Sequence, residues 1–253
     1  MQTIPYKRAS IALASTLCCI LSLGLLQAQS LTLLMEEKKE VGLEHRSLSA
    51  EIEANYKSWR KNITATVFWV GENACPANPV HNHSSSWDKN WKKSYGGVDH
   101  PYKRKGFHPV GFTPKMNPFY IALPYNDIAR KGYGHRKEAS RVIWWFTQDY
   151  KGRAKSVCKG KWVAVKFGDK ICYAQWEDCG PFFTDDWEYV FRGKVPKQNR
   201  NQNAGIDISP AVRDYLGVKS GEQVSWKFVE ELEIVQGPWK KWVPDQKMLV
   251  NGE

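Results

Sequence analysis

Two aspartates in the second half of the chain stand where a carboxyl can transfer protons. Asp178 closes the run AQWEDCGPF (Ala174 to Phe182), at the end of a β-rich segment and just before Gly180-Pro181. Asp207 lies in AGIDISPAVRDYLGV (Ala204 to Val218), on a short strand that leads into a capped helix. A carboxyl at a strand end can have a raised pKa, and general acid–base chemistry needs one group to give a proton and often a second to take one up. The competing use of Asp178 is to cap its own turn, and that of Asp207 is to bind backbone amides. Glu177, Asp185 and Asp186 read as a solvated acidic face. Trp176, Trp187 and Tyr189 flank the Asp178 turn, where rings would pack on a flat ligand or fill a core. Trp87 and Trp91 sit at helical spacing in a segment poor in apolar residues, which favours ligand contact.

Other chemistries find little support. His81 and His83, with Cys75, Asp88, Asp99 and His100 nearby, show no clean four-ligand metal spacing, so they read as loop residues and no metal is expected. Ser84 to Ser86 make no nucleophile elbow, and no Gly-rich phosphate loop is present, so no cofactor is expected.

The N-terminus suggests export. Lys7 and Arg8 precede an uncharged apolar run, Ile11 to Leu26, and Ala28 offers a small residue for cleavage, so residues 1–28 read as a signal peptide. The run is shorter than the roughly 20 residues of a comfortable membrane span. An uncleaved signal-anchor, helped by the second apolar patch Leu31 to Met35, is the alternative and the one membrane association expected. The protein is therefore expected to be secreted or periplasmic. Cys75, Cys158, Cys172 and Cys179 would then form two disulfides. If Gly168-Asp169 is a two-residue turn, Phe167 pairs with Lys170 and Cys158 falls opposite Cys179; Cys158–Cys172 is the competing pair. The chain has a net charge of +11, and removing Lys7 and Arg8 leaves +9. That balance suits anionic surfaces, and export makes nucleic acid the least suitable of them.

The elements that must hold the aspartates are mostly strands. Glu36 to Trp59 reads as an amphipathic helix, with Leu48, Ile52, Tyr56 and Trp59 at helical spacing. Strands are expected at Thr64 to Val70, Phe119 to Leu123, Val142 to Phe146, Trp162 to Phe167, Ile171 to Trp176, Tyr189 to Phe191 and Val224 to Val229. Ser209-Pro210 starts a helix that Gly217 ends. Residues 71–113 read as a long insertion. The expected divisions are a signal peptide (1–28), a helical segment (29–61), a mainly β barrel domain (62–235) and a tail (236–253).

The Asp178 and Asp207 segments together resemble the signature of double-psi β-barrels of the rare lipoprotein A type. In that family a strand ends in Asp-Arg-Gly-Pro-Phe, and a later strand with Asp-Leu-Ser leads into a helix ending in Leu-Gly. KSGEQVSWKFV (Lys219 to Val229), Thr64 to Gly71 and ALPYND (Ala122 to Asp127) resemble its closing strand, opening strand and Leu-Pro turn. Expansins, family 45 glycoside hydrolases and a class of lytic transglycosylases share this barrel. The resemblance implies a six-stranded double-psi β-barrel and a polysaccharide or peptidoglycan partner. It also implies a catalytic acid at Asp178 and, by likeness to the family 45 proton donor, at Asp207. The chain departs from the pattern at Cys179, where the family has Arg, and at Tyr120, which stands near the position of a family His and is expected to touch the substrate. Those departures favour a non-catalytic, expansin-like binding module or a structural envelope protein, while the two aspartates favour a lytic transglycosylase or glycoside hydrolase.

Overall fold

A computed structural model describes residues 7–75, 78–129 and 134–242. The chain divides after Ser49 into two compact units. The described residues of the first, 7–49, belong to helix α1, Lys7–Tyr56. The expected signal peptide therefore falls partly on residues 1–6, outside the described ones. Among the described residues, no helix is long and apolar enough to cross a membrane.

The second unit is built on a closed barrel. Its strands are β1 (Arg60–Val67), β4 (Tyr120–Leu123), β5 (Trp162–Phe167), β6 (Lys170–Cys179), β7 (Ile206–Ile208) and β8 (Gln223–Phe228). Strands β2 (Arg104–Lys105) and β3 (His108–Pro109) form a separate small hairpin. Around the barrel the order is β1-β7-β4-β6-β5-β8. Numbered one to six in chain order, these strands run 1-5-2-4-3-6, and exchanging the first three with the last three returns the same circle. The exchange also maps the parallel pair β1–β7 onto the parallel pair β6–β4. Closure leaves no exposed sheet edge and fixes which side chains alternate between the two faces. Thus Ile206 and Ile208 are fully buried while Asp207 between them stays partly exposed.

Local sequence accounts for several junctions. Gly168 takes a φ of 56°, so the hairpin turns tightly and Phe167 pairs with Lys170 as expected. The Ser209 hydroxyl accepts from the Val212 N–H, and Pro210 opens helix α6 (Pro210–Leu216). The last turns of α1 pack on the barrel through Ile52 and Tyr56, the latter stacking on Phe228 at 5.8 Å.

Three expectations change. Val142 to Phe146 is not a strand: it joins the short helices α3 (Ala139–Val142) and α4 (Phe146–Asp149), with Trp145 buried and Trp144 exposed. Tyr189 to Phe191 lies in helix α5 (Trp187–Arg192), because consecutive Tyr189, Val190 and Phe191 are all buried and a one-sided strand would expose one of them. The barrel unit also continues past residue 235, since Trp239 is buried against Phe119, Tyr173 and Tyr215.

The two expected disulfides are absent: Cys75, Cys158, Cys172 and Cys179 are free thiols. The hairpin register sets Cys172 opposite Val165, so the Cys158–Cys172 alternative has no geometric support. Cys75 is exposed in the insertion, and the Cys179 thiol donates to the Tyr125 carbonyl at 3.1 Å.

Candidate active site

Register brings the two aspartates together. Thr66 of β1 pairs with Asp207 of β7, Asp207 with Ala122 of β4, and Ala122 with Asp178 of β6. Register partners on neighbouring strands project to the same face, so Thr66, Asp207, Ala122 and Asp178 form one row across four strands. The methyl of Ala122 is all that stands between the two acids in this row. Gly180 closes it from the side: a Cβ there would lie 3.1 Å from Asp207 Oδ2 and 3.9 Å from the Ala122 Cβ.

Asp178 reaches the row because β6 carries a bulge. Ile121 pairs with Trp176 but Ala122 with Asp178, so Glu177 is the extra residue. A bulge of this kind re-aims the side chains around it. Glu177, expected on a solvated face, is instead buried, and its Oε2 has no hydrogen-bond partner. Lys159 Nζ stands 3.8 Å from that oxygen, an ion-pair distance too long for a hydrogen bond. Spacing alone gave no signal for Glu177, because the bulge depends on pairing with a distant strand.

The insertion covers this face. Helix α2 (Trp91–Tyr95) buries Trp91 and Tyr95 in a cluster with Phe68, Val70, Tyr120 and Ala122. The Tyr120 hydroxyl donates to Asp99 Oδ2 at 2.9 Å and accepts from the Val70 N–H at 2.9 Å. Tyr120 and Trp91, expected to touch ligand, are therefore core residues. So are Trp176, whose indole donates to the Asp178 carbonyl at 2.7 Å, and Tyr189, whose hydroxyl accepts from Trp226. Trp87 and Trp187 alone of the six expected contact aromatics keep partial exposure. Trp87 meets Trp176 edge-on at 5.6 Å and donates to Asn126 Oδ1, which places it beside the Asp178 turn.

Cover and burial set the electrostatics. Asp178 Oδ1 accepts from the Ser86 and Cys179 N–H groups, each at 2.7 Å. Burial raises the Asp178 pKa to about 6 against the pull of those donors. Asp207 rises to about 7, through burial first and then the nearby Asp178 charge, opposed by the hydrogen bond it accepts from the Thr66 hydroxyl. Glu177 also rises to about 7, again from burial first, with Lys159 opposing. At neutral pH such a set holds protons on some members and charge on others, which is the condition for paired acid and base work.

Neither of two cavities among the described residues is lined by a carboxylate. One, of about 540 Å³, lies between Lys105, His108, Phe112 and Lys241. The other, of about 550 Å³, is lined by Lys89, Lys92 and Lys93 of the insertion and by Lys115. The His81 and His83 rings lie 4.9 Å apart at a tilt, and among the described residues no group of three or more His, Cys, Asp and Glu could hold a metal ion. Compared with known proteins, the chain matches no family model and has no significantly similar curated relative.

Proposed function

We propose that this is an exported protein that cleaves or remodels cell-wall glycan or another polysaccharide, with Asp178 and Asp207 as its paired carboxyls. The observation that carries this reading is the row Thr66–Asp207–Ala122–Asp178, in which both acids titrate near neutrality. The likeness of the Asp178 and Asp207 segments to the rare lipoprotein A signature points the same way. A closed barrel whose strand order survives exchange of its halves supports the double-psi reading.

The two acids divide the work. Asp207 lies beside the Asp178 charge, so it holds the proton that passes to the leaving glycosidic oxygen. Asp178, anchored by two N–H donors, is the carboxylate that stabilises positive charge on the sugar or takes up a proton. The Asp178 charge helps to keep the proton on Asp207, so losing the Asp178 carboxyl weakens that hold. Incubating the protein with purified peptidoglycan and with cellulose, and scoring new reducing or anhydro ends, tests the proposal.

One observation favours a second reading, an expansin-like binder that does not cut. Asp178 is buried beneath the insertion, and the Ser86 and Cys179 N–H groups give it a complete structural use as a turn and loop clamp. Glycan binding without released ends would select this reading.

A further inference from the structure

The second cavity has a chemistry of its own. Lys89, Lys92, Lys93 and Lys115 line it together with His83, and no acid is among its lining residues. None of these four lysines forms an ion pair among the described residues, although Lys57, Lys159, Lys161 and Lys197 each do. Unpaired like charges around one concavity repel each other and focus a positive potential into it.

The pocket is also rigidly built. Helix α2 carries Lys92 and Lys93 on a base formed by fully buried Trp91 and Tyr95. The Gly96 and Gly97 N–H groups both return to the Lys92 carbonyl, at 3.1 and 3.0 Å. Phe112 packs so closely on Gly97 that a Cβ there would lie 2.7 Å from its ring. Phe112 therefore covers both glycines and holds the wall between the lysines in place. The Lys92 N–H donates to the His83 carbonyl at 3.0 Å, which ties both sides of the pocket together.

Its position relative to the aspartates is fixed by the same loop. The Ser86 N–H binds Asp178, and Lys89 follows three residues later, at most about 11 Å of chain away. A polymer crossing the aspartate row would thus pass the lysines within a short distance. We propose that this pocket is the subsite for acidic substituents of the glycan, which makes the substrate class a carboxylate-bearing polysaccharide. This rests on the glycan reading above and names its substrate.

The test uses polygalacturonate, its fully methyl-esterified form, and a single-stranded oligonucleotide of matched charge. Wild-type protein is expected to bind polygalacturonate at low salt, to release it as salt rises, and to ignore the neutral ester. The variant Lys89→Gln/Lys92→Gln/Lys93→Gln/Lys115→Gln should bind about tenfold more weakly or worse with unchanged thermal unfolding. Equal binding by that variant, or equal binding of the ester, overturns the proposal. So does displacement of polygalacturonate by the oligonucleotide at lower concentration, which would mark a general polyanion patch. Asp178→Asn and Asp207→Asn should bind polygalacturonate as wild type does, so a failure to cleave any glycan leaves this test standing. Undiminished cleavage of a neutral glycan by the lysine variant, with no polygalacturonate binding by wild type, would remove the pocket and keep the catalytic pair.

Discussion

Asp178 and Asp207 flank Ala122 from the two strands on either side of β4, each in register with it. Their approach is set by backbone pairing, and the space between them by the smallest side chain that still packs. Thr66 on the far side of Asp207 and the Ser86 loop over Asp178 complete the enclosure.

Ala122→Leu tests that spacing. Ala122 is 1% exposed and packs with Tyr120 and Trp91 under the insertion. Three added carbons have no room, and overpacking of this sort costs about 1–3 kcal/mol. Denaturant unfolding should show a loss in that range. An unchanged midpoint would mean that the row is looser than its register indicates.

The raised carboxyls give stability a definite pH dependence. Folded pKa values of about 6 for Asp178 and about 7 for Asp207 and Glu177 exceed the unfolded values of 3.8, 3.8 and 4.5. Between those limits the folded state binds more protons, so these groups lose stability as pH rises through the folded pKa values. The melting temperature should fall from pH 5 to pH 8. Asp207→Asn should flatten that fall and melt higher than wild type at pH 8, since a tenfold change in proton affinity on folding corresponds to about 1.4 kcal/mol. A melting temperature that rises over this window, or a variant with the wild-type slope, contradicts the assignment.

The aromatics separate cover from contact. Trp91 is 1% exposed at the centre of the insertion's cluster, so Trp91→Ala should cost about 3–5 kcal/mol in denaturant unfolding. Trp87, partly exposed beside Asp178, should cost clearly less when changed to Ala while weakening glycan retention. Equal stability losses would place Trp87 in the core as well.

The hairpin at Gly168-Asp169, the cap at Ser209 and the two acid-bearing segments are legible in the sequence, because each depends on residues adjacent in the chain. The aspartate row depends on pairing across β1, β7, β4 and β6, and the bulge at Glu177 on a register shift against β4. Neither leaves a mark on neighbouring residues, so Glu177 reads as a surface acid. Residues 71–113 look too polar to bury anything, yet Trp91 and Tyr95 suffice once β4 supplies Tyr120 and Ala122. The same kind of tertiary partner turns Tyr189 to Phe191 from an expected strand into a helix buried at consecutive positions.

The thiols provide a further check. Cys158 and Cys172 are buried and burial pushes both thiols well up, while Cys75 is exposed. A thiol reagent at neutral pH should label Cys75 in the native protein far faster than Cys158 or Cys172. Peptide mapping that finds Cys158 or Cys172 labelled first, or any of the four joined in a disulfide, would falsify this arrangement of the core.

Joint cleavage of glycan by Asp178 and Asp207 is tested most directly by the turnover of purified peptidoglycan by wild type, Asp178→Asn and Asp207→Asn. Asparagine keeps the shape of each side chain and removes the exchangeable proton or charge. General acid–base catalysis is worth roughly 10²- to 10⁴-fold, so each variant should release reducing or anhydro ends slower by that order while still binding the glycan. Turnover within a few-fold of wild type in both variants, or tight binding by wild type with no released ends, would contradict it.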